Sequence, residues 1–554
     1  MARLVARTLA IGLLGLASCG RTRSQVGVMA NGGAGAGAAG AVGGAASSGG
    51  DGAAAAGGGL STQSDGNPIY TRAGRLTSSQ FEHAATDILG LVEGTDLKSN
   101  LPRPALVAAD FSNNERGLYV DARAFTQLEE AAEKAAELAT GSAEALARVY
   151  PGTDPEGFVR SLGRRAFRRP LVEAEVARYL GVLARGQELY GAGFAAGASL
   201  VIRAMLQSPS FLYRTELGPA GEPLSSYEIA SKLSFWLLDT TPSDALLDAA
   251  AKGELDSEQG LLSAARAMLE DRAAEGVMRT FHRELYRLDR FDVLTKSGAP
   301  EWSEALGLEA KEASLAFFDR IYTGGEGLRD ILLSPRGFVG PRLAPLYGQT
   351  APTMLEDREL GPERLGYFMQ VPRLMLDSPG TRPDPIHRGI DMALDVLCLQ
   401  LPAPPLELPA IPDFAPEQTN RERLESYIGS CGGSCHSRYL DPLGLAFEGF
   451  DGMGVARSTD GGRPVDASGT FLFAGGEDSF DDARELMQQL ADDELPYACY
   501  GRKLASYGLQ RDIAAGDAEL VAELAEGARR ASVKDLMLAL VASPAFRLRH
   551  EDLP

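Results

Sequence analysis

Apolar residues recur with a helical period along most of this chain. From Phe125 to Leu146 alanine, leucine and glutamate alternate at that spacing, and the run predicts a long helix. Helix ends are written in local chemistry. In Leu76-Thr77-Ser78-Ser79-Gln80-Phe81, Thr77 can cap a helix, Gln80 can return a bond to the cap, and Leu76 can staple onto Phe81. Gly90 is placed to end that helix in a left-handed conformation. The same grammar recurs in Leu224-Ser225-Ser226-Tyr227-Glu228-Ile229, with Ser225 as cap and Glu228 returning the bond. A second echo pairs Leu206-Gln207-Ser208-Pro209-Ser210-Phe211 with Val541-Ala542-Ser543-Pro544-Ala545-Phe546. Serine then proline suits an N-cap followed by a first helical position, and the phenylalanine can pack back on the preceding helix. These echoes admit a distant internal duplication without establishing one. Proline spacing from Leu401 to Pro416 predicts an extended, rigid connector. Asp460-Gly461-Gly462, between Val455 and Val465, predicts a turn joining two short strands. The fold expected is mainly α, a multi-domain helical body with a small β-hairpin near the C-terminus.

The first residues carry a different pattern. Arg3 and Arg7 precede an apolar run from Leu9 to Leu16, and Leu16-Ala17-Ser18-Cys19 follows. Basic, apolar, small, then a cleavage site is the order of a secretory signal. The apolar run is shorter than the roughly 20 residues that span a bilayer. Its last four residues resemble a bacterial lipobox, which implies cleavage before Cys19 and acylation of that cysteine. Nearly every residue from Asn31 to Gly59 is glycine or alanine, which predicts a flexible tether. A net charge of −21 argues against nucleic acid as a partner. The local basic cluster Arg164, Arg165, Arg168 and Arg169 reads as a solvated helix face with ion pairs.

Chemistry concentrates in the cysteines, of which there are five: Cys19, Cys398, Cys431, Cys435 and Cys499. With Cys19 lipidated, four remain for an oxidising compartment, and they allow three pairings. Cys431-Gly432-Gly433-Ser434-Cys435-His436 has the residue types of c-type haem attachment, with three residues between the cysteines instead of the usual two. Two thiols would bind covalent haem c, and His436 would be a ligand of the haem iron. A Cys431–Cys435 disulfide loop and another metal site are the alternatives; zinc is disfavoured because no second Cys/His pair lies at finger-like spacing. If Cys431 and Cys435 carry haem, Cys398 and Cys499 are the remaining pair. Glu448 and Asp451 are candidates for acid–base work or calcium, against a turn-capping role or pairing with Arg457. His387 is a candidate distal ligand, against a surface position in a Pro/Asp loop. Met453 and Met487 are candidate sixth ligands, whereas His83, His282 and His550 have no partner motif. No P-loop, dinucleotide fingerprint or nucleophile elbow is evident.

The body from about Arg75 to Arg547 resembles the large planctomycete-type exported proteins that string together Domains of Unknown Function 1587, 1595, 1592, 1588 and 1585, often fused to cytochrome c. Arg75-Leu76-Thr77 and Asp87-Ile88-Leu89-Gly90 resemble the first domain, and Arg165-Ala166-Phe167-Arg168-Arg169-Pro170-Leu171 the second. Gln207 to Tyr213 and Ala230 to Ser234 resemble the third. The fourth is carried by Arg388-Gly389, Cys398, Cys435-His436, Asp441-Pro442-Leu443-Gly444, Phe447-Glu448, Phe450-Asp451, Gly454 and Arg457. The last is carried by Cys499, Lys503-Leu504, Tyr507-Gly508 and Ser543-Pro544-Ala545-Phe546. The resemblance implies a cytochrome-c-like Cys-His module, although the family shows the shorter cysteine spacing there and often a separate cytochrome module that this chain replaces with its tether. The expected division is a signal peptide (1–18), a tether (19–69), helical domains at 70–150, 151–220 and 221–350, the Cys-His domain (351–475) and a C-terminal helical domain (476–554). The function expected is an envelope-anchored lipoprotein, on the outer membrane, that passes single electrons to a redox partner. The competing readings are a scaffold binding glycan, envelope polymer or protein, with the cysteines as a staple, and a hydrolase or lyase using Glu448 and Asp451.

Overall fold

A computed structural model of the protein describes residues 69–92, 94–99, 101, 111–401, 415, 417–428 and 436–549. Cys19, the Gly/Ala tether, almost all of the 401–416 connector, Cys431, Cys435 and His550 lie outside the described residues. The described part is mainly helical, and each of its sheets is a two-stranded antiparallel hairpin or ribbon.

The first expected capping box is present. Thr77 accepts from the Gln80 N–H, Gln80 accepts from the Thr77 N–H at 3.1 Å, and the helix Ser78–Leu89 ends at Gly90 with φ 58°. The long periodic run is instead two helices, Ala122–Thr140 and Ala143–Val149. Ser142 explains the break: its hydroxyl caps the Ala145 N–H and starts a new helix after Gly141. Helices Pro155–Phe167, Glu173–Tyr190 and Phe194–Leu206 complete a core around Phe81, Leu128, Phe158 and Phe211.

The basic cluster corrects the expectation of a solvated face. Arg164 pairs with Asp244 and Asp248, and Arg169 binds Glu175 through both nitrogens, as ion pairs should. Arg168, however, is only 4% exposed. It donates to the carbonyls of Ala166, Ser210, Phe211 and Tyr213. Arg165 donates to Ile88 and Val149 carbonyls. Helix ends leave carbonyls without partners, and a guanidinium has donors enough to satisfy several of them.

This closing corner is built twice. The segment after Ser208-Pro209 turns into the strand Tyr213–Pro219, which pairs with Ile69–Arg75, and the Leu76 N–H donates to the Leu212 carbonyl at 2.8 Å. After Ser543-Pro544 the chain bridges Leu548 to Pro223, and the Leu224 N–H donates to the Arg547 carbonyl at 2.9 Å. Each leucine immediately precedes the cap of an opening helix, Ser78–Leu89 in one case and Ser226–Leu237 in the other. Phe211 and Phe546 are both fully buried. Helices Pro155–Phe167 and Leu495–Leu509 each end on a left-handed residue, Arg168 at φ 58° and Gln510 at φ 57°. The next residue then makes a bidentate ion pair six positions on, Arg169 to Glu175 and Arg511 to Asp517. Those carboxylates also accept the Val172 and Ala514 N–H groups. One detail differs: Ser543 does not cap through its side chain and donates instead to the Leu540 carbonyl. We therefore describe a first arm, Leu76 to Tyr213, and a second, Leu224 to Leu548. They dock through Phe235 of the second, which enters the first arm's core beneath Arg168 and Arg214.

The second arm is interrupted between its opening and closing helices by a segment of short elements. These include helices Val371–Leu376, Pro385–Asp391 and Asn420–Ile428, the π-helical turn His436–Leu440 and helix Asp441–Leu445. The expected hairpin is there, Thr459–Asp460 against Arg463–Pro464, with Gly461 and Gly462 both at positive φ as a tight two-residue turn requires. Three buried cations hold this segment by its carbonyls. Lys296 donates to Met375, Ser378 and Gly452; Arg364 to Met369 and Gly454; Arg388 to Leu374, Phe447, Phe450 and Asp451.

Candidate functional site

His436 opens the π-helical turn that leads into Asp441–Leu445, and its ring is half-buried. Two glycines set where that turn sits. A Cβ on Gly444 would lie 1.8 Å from the Pro385 carbonyl oxygen, and one on Gly389 would lie 2.2 Å from that of Leu440. Only glycine lets helix Pro385–Asp391 and the 440–444 backbone approach this closely. His436 Nδ1 lies 3.2 Å from Asp441 Oδ1, and burial raises the Asp441 carboxyl above its usual range. A carboxylate on one ring nitrogen fixes the imidazole and leaves the other nitrogen for a ligand, the arrangement used around metal-bound histidines. Asp441 thus engages Nδ1 of His436; Cys431 and Cys435 are outside the described residues.

The other two cysteines meet. Cys398 and Cys499 form a disulfide with Cα atoms 5.2 Å apart, tying the interrupting segment to helix Leu495–Leu509. Their sequence separation is 101.

The remaining candidates take separate places. Glu448 is buried and accepts from Asn420 at 2.9 Å and Arg457 at 2.5 Å. Burial still pushes its carboxyl above the ordinary value. Asp451 Oδ1 accepts the N–H groups of Met453 and Val455, so the two carboxylates serve different hydrogen-bond sets. His387 is exposed as expected, but on the first turn of a helix and not in a loop, with Nδ1 2.7 Å from the capping Asp384. Met453 and Met487 are buried in the second core. Among the described residues no cluster of three or more His, Cys, Asp or Glu is arranged to hold a metal ion, and no helix is long and apolar enough to cross a membrane.

Two buried constellations escaped the sequence reading. Arg373 and Arg290 each bridge Asp377 and Asp391, while Arg287 links Asp391 to Asp395. Burial pushes Asp377 up to about 7, whereas the arginines hold Asp391 well below its ordinary value; the two carboxyls are hydrogen-bonded to each other. The pair therefore shares one proton in acid and releases it only as pH approaches about 7. Asp377 lines a cavity of about 10 Å³ with Phe368, Arg388, Met392 and Phe447, space for a single water. The second constellation is His282, fully buried, with Nε2 2.9 Å from the Tyr500 hydroxyl. Its partners are 218 residues apart, and no local motif could have joined them.

Two helical arms, the second interrupted and disulfide-tied around a histidine-bearing turn, define the class of architecture. Family models match it piece by piece, each described as a protein of unknown function. The matches are DUF1587 at 74–141, DUF1595 at 155–216, DUF1592 at 224–349, DUF1588 (also named PSCyt3) at 364–460 and DUF1585 at 476–546. The chain belongs to the proteins that carry these five domains of unknown function in this order. The first two matches make the first arm, the third and fifth the second arm, and the fourth is the interruption. No curated protein and no solved structure matches the chain.

Proposed function

We propose that the protein is an envelope-anchored lipoprotein that passes single electrons through a covalently bound c-type haem in its interrupting segment. The observation that carries the reading is the division of labour among the cysteines. Cys398 and Cys499 are joined to each other. That leaves Cys431 and Cys435 beside His436, whose Nδ1 is already engaged by Asp441. When bound, haem supplies one-electron chemistry. Cys431 and Cys435 would hold it through thioethers, and His436 would ligate the iron. Asp441 keeps the imidazole oriented, and the glycine contacts at Gly389 and Gly444 keep the turn in place. The family name PSCyt3, carried by the fourth domain, is in keeping with this reading. Cys19 would carry the lipid anchor that places the protein on the outer membrane, facing a redox partner.

The test is a haem stain on a denaturing gel of protein made with haem-attachment machinery present. Thioether-bound haem survives denaturation, so staining at the protein's own mass is expected, and His436→Ala should alter the absorption spectrum. Haem-free protein with a Cys431–Cys435 disulfide would overturn the reading in favour of a stapled scaffold that binds glycan or protein. The anchor is tested separately: wild type should enter detergent with acyl chains on Cys19, and Cys19→Ser should not.

A further inference from the structure

His282 sits at the centre of the second arm's core with no exposure to solvent. Its Nδ1 is 2.9 Å from the Met278 carbonyl, one helical turn back. A carbonyl only accepts, so Nδ1 carries the ring proton. Nε2 is then an acceptor, and the Tyr500 hydroxyl donates to it. Burial holds the imidazole neutral, with its protonation pushed down to about 3. Burial likewise raises the Tyr500 phenol far above its ordinary value. Neither a phenolate nor an imidazolium forms in the resting pair, because each would put an uncompensated charge in the core.

Tyrosine and tryptophan differ from the other buried polar groups in being oxidisable by one electron. Losing one electron makes a phenol strongly acidic, so its proton must have somewhere to go. Other buried tyrosines have no base there: Tyr322 and Tyr497 donate to backbone carbonyls. Trp236 has an indole N–H without a hydrogen-bond partner. Tyr500 alone, among the described residues, donates to an imidazole.

The pair is also wired. Tyr500 and His282 have ring centres 6.0 Å apart, and His282 stacks 6.2 Å from Tyr286. Tyr286 lies 5.6 Å from Tyr367, which belongs to the interrupting segment. On the other side Phe281 bridges Tyr500, at 5.7 Å, to Tyr507, at 5.2 Å. Every step runs between aromatic rings whose centres lie no more than 6.2 Å apart.

We propose that Tyr500 and His282 form a buried redox site at which an electron and a proton leave tyrosine together. A one-electron oxidant, of the class of a high-valent haem or a ruthenium(III) polypyridyl, takes one electron from Tyr500 by way of the ring stack. The phenolic O–H bond breaks, and its proton passes to His282 Nε2. The products are a neutral tyrosyl radical and an imidazolium whose Nδ1–H still donates to Met278. Reduction returns the electron to Tyr500 and the proton to its oxygen. Removing the electron supplies the driving force for proton transfer that burial withholds in the resting state.

This goes beyond the haem reading and does not depend on it, because the oxidant can be supplied from outside. The experiment is flash photolysis of tris(bipyridine)ruthenium with persulfate on the full chain, followed by electron paramagnetic resonance of the frozen sample. Wild type should give a long-lived neutral tyrosyl radical. Tyr500→Phe, which removes one oxygen from a filled site, should lower its yield about tenfold or more. His282→Gln keeps a polar partner but no base and should lower it similarly. If His282→Gln does not fold, Tyr500→Phe decides the matter, with circular dichroism confirming its fold. Wild-type radical yield in Tyr500→Phe or in folded His282→Gln would overturn the proposal, as would the absence of a long-lived radical in wild type. A failed haem stain leaves each of these outcomes as informative as before.

Discussion

The two arms share a plan and differ in what interrupts it. In the first arm the opening helix Ser78–Leu89 and the closing corner at Ser208-Pro209 are joined through alanine-rich helices and two carbonyl clamps, Arg165 and the buried Arg168. In the second arm the same corner closes only after the chain has left the core and returned. There the interrupting segment is gripped by Lys296, Arg364 and Arg388 and tied by Cys398–Cys499. The candidate cofactor turn and the buried acid pair also belong to that segment, and the tyrosine–histidine pair lies on the helices that flank it. The arm without an interruption has none of these. Both arms use cations to hold backbone carbonyls, and the arm opened to admit a segment adds a covalent tie.

Cutting the covalent tie should separate the arms most strongly. The disulfide closes a loop of about 100 residues, so Cys398→Ala with Cys499→Ala should cost ~4 to 5 kcal/mol by the chain-entropy model. Chemical denaturation gives the loss, and limited proteolysis should place the first new cuts in the second arm. Early cuts in the first arm would break the comparison. Next in size come the buried guanidiniums. Arg168→Met and Arg388→Met each leave several buried carbonyls without donors and should each cost about 3 kcal/mol, read by thermal denaturation. A much smaller loss for one would show that the two clamps are not equivalent.

The acid pair gives a pH test confined to the second arm. Asp377 is raised in the folded protein to about 7 from an ordinary carboxylate value, so the folded state binds its proton more tightly than the unfolded. Stability from this group is therefore fully present in acid and is lost as pH rises through the interval up to about 7. The depressed partner, Asp391, changes stability only at still lower pH. Asp377→Asn should flatten the decline between pH 4 and pH 7 by on the order of 1 kcal/mol, seen in melting temperature against pH. An unchanged profile would mean that the proton is held elsewhere. Smallest is the cap comparison: Thr77→Ala and Ser225→Ala should each cost about 1 kcal/mol, because both hydroxyls serve the same box. Unequal losses would weaken the shared plan.

What the sequence disclosed was local. Both capping boxes, the Gly90 helix end, the Ser-Pro corners and the Gly461-Gly462 hairpin depend on a few neighbouring residues, and all are present. The split of the expected long helix was also written locally, in Gly141-Ser142, but helical periodicity overrode it. Arg168 was misread because residue type argues for the surface, whereas the carbonyls that bury it come from residues 42 to 45 positions away. Lys296 and Arg388 were hidden for the same reason. The disulfide could be paired from sequence only on the condition that Cys431 and Cys435 were otherwise engaged. The tyrosine–histidine pair was invisible, since only the folded second arm brings helix Arg272–Leu285 to helix Leu495–Leu509.

The claim that the interrupted arm exists to carry a cofactor rests on Cys431 and Cys435. Intact mass and non-reducing peptide mapping of protein made with haem-attachment machinery test it most directly. The account predicts a mass increase of one haem, retained on the peptide that spans Cys431 to His436, with Cys398 and Cys499 recovered as a disulfide-linked pair. Unmodified protein in which Cys431 is linked to Cys435 would contradict it.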